Sequence, residues 1–443
     1  MVRKGLILCL FLLGCGAGPL GDSYPGVSDT PSAQESESSG RQPQQPGAQT
    51  DPTPPQTPAA NRYRDPGKYP WVAVPRDKVA EECGLDRVLL AAADQKLGKP
   101  YAVVRYGKLC HEYYPGGRDS VGHVFSATKT LGGVVAGRVA YLSKGLPRTG
   151  KKTGPLSDED LATDWLDSVG FNQQAKVAHV LAMVGHNSDL AFGSKSFTYD
   201  TVGSTQINRL SDILNAVIKQ DTVRMGVNLD ELTRKHVFEP LGMTESSWSN
   251  GSSSKIFAYT WNTTVKDMAR LGLLMIHQGW WNGGRLIDTE WLYRMTRPAF
   301  EDASTGYGYL TWLNAKSNYA NLMGAKQQDP GDPCAPVALH RFYPHALSGA
   351  PDCNYKSPYS CAQTHDVGIW FAAGMGGHYI VGHRGLDLVL VIKDYGQQSA
   401  AGPRALWAAV RPALVALDPK FMGDEKAFCE DYGKNAYAPD LIE

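Results

Sequence analysis

The chain reads as an α+β protein: an antiparallel sheet flanked by helices, with a helical block inserted between its two halves. Three observations lead there. A strand pair with a tight turn opens the ordered part, around Tyr101–Tyr114. A long segment that is apolar nearly all round follows, from Ser126 to Leu142, and amphipathic helices occupy the middle of the chain. Strand-like runs then return near the C-terminus, at 368–393, and runs of strands separated by runs of helices are the α+β pattern.

Taken in order, Leu85–Leu97 has helical spacing, with Val88, Leu89, Ala92 and Ala93 on one face. Tyr101–Tyr106 and Leu109–Tyr114 are short and rich in β-formers, and Gly107-Lys108 makes the turn between them. Ser126–Leu142 has no polar face, the mark of a buried helix, and residues 145–160 form a polar loop. Thr205–Lys219 sets Ile207, Leu210, Ile213, Leu214 and Val217 on one face; Thr264–His277 does the same with Met268, Leu271, Leu274 and Met275. Gly368–Ala373, His378–Val381 and Leu386–Lys393 are strands, and Arg404–Leu417 is a final helix. Residues 315–366 are Pro-rich and show no period, an insertion of the kind that is functional or disordered.

The N-terminus has a different logic. Arg3 and Lys4 precede an apolar run, Leu6–Leu13, that is too short to span a bilayer. Leu12-Leu13-Gly14-Cys15 resembles a bacterial lipobox, so Cys15 is the expected lipidation site; an ordinary signal peptide with a chance cysteine is the plainer alternative. Residues 21–60 hold 8 Pro and no Ile, Leu, Met, Phe or Trp, and such a segment buries too little apolar surface to fold. The expected organisation is therefore a signal peptide over 1–14 and a lipid-anchored linker over 15–62. A sheet domain built from 63–125 and 256–443 follows, with a helical domain over 126–255. Localisation is then the cell envelope, on the outer membrane or the periplasmic face.

Forty-four basic residues balance 44 acidic ones, and nothing here would neutralise a row of phosphates, so no nucleic-acid partner is expected. Cys83, Cys110, Cys334, Cys353, Cys361 and Cys429 remain after the leader. In an exported chain they imply up to three disulfides with about 15 possible pairings, and Cys353–Cys361, close together in a loop-like stretch, is the one expected bridge. Cys353, Cys361 and His365 match no standard zinc spacing, and no metal is expected.

Chemistry concentrates at Ser126-Ala-Thr-Lys129. On a helix, residues three apart share a face, so the lysine amine can reach the serine hydroxyl. A serine at a helix N-terminus sits at the positive end of the dipole, and a desolvated lysine loses its proton readily enough to act as a base. The pattern recurs at Ser252–Lys255, in a Gly/Ser loop with no apolar helix behind it, and that copy is read as a decoy.

The surroundings of Ser126 sharpen the assignment. Val103-Val-Arg-Tyr-Gly-Lys108, Phe238-Glu-Pro-Leu-Gly-Met243, Thr264–Gly272, Gly284-Arg-Leu-Ile287 and Tyr307-Gly-Tyr309 with Trp312 occur in one order. In these the chain resembles the serine β-lactamase-like hydrolases over roughly residues 70–415. That superfamily includes class C β-lactamases, DD-peptidases, related esterases and 6-aminohexanoate-dimer hydrolases.

The resemblance implies a β-lactamase/transpeptidase-like fold and a serine hydrolase acting on an ester or amide through an acyl-enzyme. It implies Ser126 as nucleophile, Lys129 and Tyr199 as proton carriers, and no cofactor. Tyr199 lies in Phe197-Thr-Tyr-Asp-Thr201, where Thr201 replaces the usual Asn. A third family element, K-T-G, has a literal match at Lys152-Thr-Gly154, but before the tyrosine rather than near the C-terminus. Ala372-Ala373-Gly374 fits the expected place, and His383-Arg-Gly385 is a rival.

The backbone N–H groups of Ser126 and Met375 would form the oxyanion hole, and Ala373, Gly374 and His378 would line the substrate site, His378 also reading as a structural strand residue. Ala372 stands where relatives carry a lysine that holds a substrate carboxylate, so weak action on β-lactams is implied. The expected partners are a small ester or amide substrate and a membrane reached through the N-terminal lipid only. The alternative function is a catalytically silent relative that binds cell-envelope ligands.

Overall fold

The computed structural model describes residues 66, 70–168, 172–184, 197, 199, 206–248, 256–297, 299–300, 307–313, 369–383, 386–396 and 401–414. The expected leader and linker, Cys15, the Ser252 motif, Thr201 and the cysteines beyond Cys110 lie outside these residues.

Six antiparallel strands make the main sheet. They are β1 (Tyr101–Arg105), β2 (Lys108–Tyr113), β3 (Trp312–Leu313), β4 (Ile369–Gly374), β5 (His378–His383) and β6 (Leu388–Ile392), in the spatial order β2-β1-β6-β5-β4-β3. β1 pairs with β6 from Tyr101↔Ile392 to Arg105↔Leu388, so the first and last strands are neighbours and the helical stretch between them is an excursion from one sheet. This is the α+β layout that the sequence predicts.

Alternation along each strand gives the sheet two apolar faces. Ala102, Val104, Ile380, Val389 and Val391 belong to the core beneath helices α2 (Thr128–Ser143) and α4 (Val265–Ile276). Tyr101, Val103, Val381, Leu388, Leu390 and Ile392 belong to the opposite core, under α1 (Arg87–Leu97) and α5 (Ala401–Val410). Helix α4 starts at Thr264, whose hydroxyl caps the Asp267 N–H at 3.2 Å. Helix α3 (Arg209–Ile218) buries Leu210, Ile213, Leu214 and Val217 as its period requires.

Helix α2 is buried on nearly every side, as its composition dictates. Glycine makes that burial feasible: a Cβ on Gly137 would lie 2.4 Å from Trp291, and one on Gly132 would lie 2.5 Å from Phe257.

The face of α1 is a correction. Leu90, Ala93 and Leu97 are buried, whereas Val88 is 68% exposed and Leu89 38% exposed. The helix also begins two residues later than the spacing suggests, because the Asp86 side chain caps the N–H groups of Val88 and Leu89. The disulfide found is Cys83–Cys110, tying the segment before α1 to β2; Cys353 and Cys361 are outside the described residues. With a sequence separation of 27, loop closure alone contributes roughly 3–4 kcal/mol. Among the described residues, no helix is long and apolar enough to cross a membrane.

Candidate active site

The turn carrying Ser126 is built from both sides. The short strand Gly122–His123 pairs with Trp261–Thr263, and the chain then turns sharply at Phe125, a non-glycine residue at φ 48°. Backbone in this left-handed region is unfavourable for a side chain and persists only where its surroundings impose it. Here the Phe125 ring stands edge-on to His123 at 4.4 Å and stacks on His378 at 5.9 Å. Its N–H donates to His123 Nδ1 at 3.3 Å. Thr128 locks the next residues: its hydroxyl donates to the Phe125 carbonyl at 2.6 Å and accepts the Trp261 N–H at 3.0 Å. A single 3-10 turn, Phe125–Ala127, leads directly into α2, so Ser126 sits at the start of the buried helix.

One turn on, the Lys129 amine lies 3.0 Å from Ser126 Oγ and donates to the Ala258 carbonyl, also at 3.0 Å. Lys129 is 3% exposed, and burial pushes its pKa down to about 7. A lysine in that state gives up its proton near neutrality, which suits a general base. Its nitrogen lies 4.8 Å from the centre of the Tyr199 ring. Tyr199 is half-buried, with Trp312 at 4.8 Å, Tyr307 at 6.0 Å and Phe197 at 6.3 Å. The expected trio of Ser126, Lys129 and Tyr199 therefore converges in space. Trp312 is only partly buried and forms the wall beside Tyr199.

The end of β4 forms the opposite edge of the site. A Cβ on Gly374 would fall 2.0 Å from the Val124 carbonyl oxygen and 3.2 Å from the Ala127 nitrogen, so only glycine lets this strand press against the nucleophile turn. Met375 follows, 52% exposed, in a turn closed by the Gly377 N–H to the Gly374 carbonyl at 3.2 Å. Ala372 is fully buried, in the same core as Val124 and Ala127, and β4 carries no charged residue. Ala373 faces the other core.

His378 differs from the expectation that it lines the substrate site. It is 3% exposed, its Nδ1 accepts the Asp394 N–H at 3.3 Å, and its ring backs Phe125. Burial holds its pKa down to about 4, so it is a neutral packing group at pH 7. His383 is excluded as a rival because alternation turns it to the opposite face of the sheet, where it stacks on Trp407 at 5.7 Å. Lys152 of the literal K-T-G pairs with Asp167 at 2.6 Å in the polar loop, and Thr153 Oγ accepts the Thr149 N–H at 2.9 Å. Two participants had no signal in the sequence: the Ala258 carbonyl and the Phe125–His378 stack. Among the described residues no three His, Cys, Asp or Glu converge as metal ligands.

No protein-family model matches the chain, and no curated protein matches it. Several solved structures are similar. A candidate β-lactamase from Bacteroides dorei is 14% identical, with 74% of this chain and 98% of that one aligned at a TM-score of 0.49. A candidate 6-aminohexanoate-dimer hydrolase from Bacillus anthracis is 13% identical, covering 73% and 80% at 0.48. A penicillin-binding protein homologue from Caulobacter crescentus is 12% identical, covering 74% and 96% at 0.46.

Proposed function

We propose that the chain is an exported serine hydrolase that cleaves an ester or amide through an acyl-enzyme. One observation carries this: Lys129 Nζ stands 3.0 Å from Ser126 Oγ, buried and shifted to about 7, at the start of a buried helix. Lys129 takes the serine proton as Oγ attacks the carbonyl carbon. The backbone N–H groups of Ser126 and Met375 receive the oxyanion, the contact in which hydrogen bonds strengthen as charge develops. Tyr199 passes a proton to the leaving group, and water then releases the acyl group. The test is labelling of the intact protein by a fluorophosphonate. A label on the peptide containing Ser126 supports the proposal; absence of label would instead favour a silent ligand-binding relative.

The substrate is an ester or amide without a recognition carboxylate. β4 offers no cation, and Ala372 faces an apolar core. A hydrogen bond to a charged group contributes about 1.5–3 kcal/mol, or roughly 10–150-fold in affinity. Uncharged short-chain esters should therefore exceed cephalosporins by at least about tenfold in kcat/KM. Efficient hydrolysis of a chromogenic cephalosporin would defeat this part of the proposal.

The protein is tethered through Cys15. A flexible linker of about 40 residues spans roughly 35 Å on average, which sets the domain off the bilayer surface. Cys15→Ala should move the protein from the membrane fraction to the soluble fraction, because a lipid chain is the only anchor in this reading. Equal solubility of the wild-type protein would remove the tether.

A further inference from the structure

Tyr307 is 2% exposed, and its hydroxyl has no hydrogen-bond partner. Its ring stands edge-on to Tyr199 at 6.0 Å and to Trp312 at 4.8 Å, and packs on Phe197 at 4.9 Å. A buried hydroxyl without a partner is destabilising, and phenylalanine would give the same packing without that penalty. The oxygen is therefore held for a hydrogen bond that is not made in the resting state. Tyr199 is the ionisable group that bears on it, and burial keeps Tyr307 protonated far above neutrality, so it remains a donor.

We propose that Tyr307 is a positioning residue for Tyr199. Its hydroxyl donates to the Tyr199 phenol oxygen as Tyr199 gives up its proton. This rests on the acyl-transfer role assigned above to Ser126, Lys129 and Tyr199. Lys129 accepts the Ser126 proton as the Oγ–C bond forms. Tyr199 passes its proton to the leaving atom as the C–O or C–N bond breaks, and the Lys129 ammonium then reprotonates Tyr199. Tyr307 keeps its own proton throughout and steadies the oxygen that is briefly bare.

The experiment compares Tyr307→Phe with the wild-type full-length protein on two esters of one acyl group. One has an alkyl alcohol leaving group that must be protonated; the other has a nitrophenol that departs without a proton. Expected is a loss of about tenfold in kcat on the alkyl ester, with KM unchanged, and a change of less than about twofold on the nitrophenyl ester. The melting temperature should be unchanged or higher. Equal losses on both esters, no loss on either, or failure of Tyr307→Phe to fold would each overturn the proposal. Failure of the underlying assignment is distinguishable, since it would show as turnover retained by Ser126→Ala.

Discussion

Ser126→Ala should abolish turnover and fluorophosphonate labelling, a loss of roughly 10⁴-fold or more, while the protein still folds. The hydroxyl is half-buried, and the hydrogen bond described for it is the one with Lys129. The turn does not depend on it. Thr128 holds the Phe125 carbonyl and the Trp261 N–H, and Ala127 N–H bonds the Val124 carbonyl at 3.2 Å. Removing one oxygen therefore leaves the helix start in place. The measurement is kcat/KM on an ester substrate beside a thermal melt. Activity within tenfold of wild type would discard Ser126 as nucleophile. A large drop in melting temperature would instead give the serine a structural role.

What the sequence reveals of this site is what lies close together along the chain. Ser126 and Lys129 are three residues apart on one helix, so their meeting follows from helical geometry alone. The strands are legible as short runs of Val, Leu and Tyr, as in Tyr101–Arg105 and Leu388–Ile392. Contacts between distant segments leave no such trace. The Ala258 carbonyl that holds Lys129 is 129 residues away, and Gly374 meets Val124 across 250 residues. The disulfide shows the same limit, because an even number of cysteines admits every pairing and only the fold brings Cys83 to Cys110. Helix α1 departs from its predicted face for a local reason. Two adjacent stripes, Leu89-Ala92-Ala93 and Leu90-Ala93-Leu97, both satisfy helical spacing. The second stripe is the one that packs into the core under the sheet, and the Tyr101 hydroxyl, which bonds Asp94 at 2.7 Å, meets the helix on that same side.

Lys129→Ala should lower kcat by roughly 10²–10⁴, the range of a general acid–base group, and Tyr199→Phe should do likewise. The double variant should lose scarcely more than either single one, since both side chains serve one proton path. Additive losses would separate them into independent roles. The pH dependence follows from the same burial. Only neutral Lys129 can accept the serine proton, so wild-type acylation should rise with pH to a plateau, with a midpoint near the pKa of about 7. Stability carries the matching sign. Burial lowers the folded-state pKa below the unfolded value of about 10.4, so the unfolded chain binds the extra proton between these limits and stability increases with pH across them. The charged amine is most destabilising below pH 7, by an amount on the order of a few kcal/mol. Lys393 is also lowered by burial, so the informative quantity is the difference between variant and wild type. Lys129→Met removes the buried charge but leaves the Ala258 carbonyl without that donor, which offsets part of the gain. In urea unfolding, Lys129→Met should gain relative to wild type at pH 6 and lose that advantage by pH 9.5. A variant whose relative stability is the same at both pH values would mean that Lys129 is not depressed in the folded protein, and the proton acceptor for Ser126 would have to be another group.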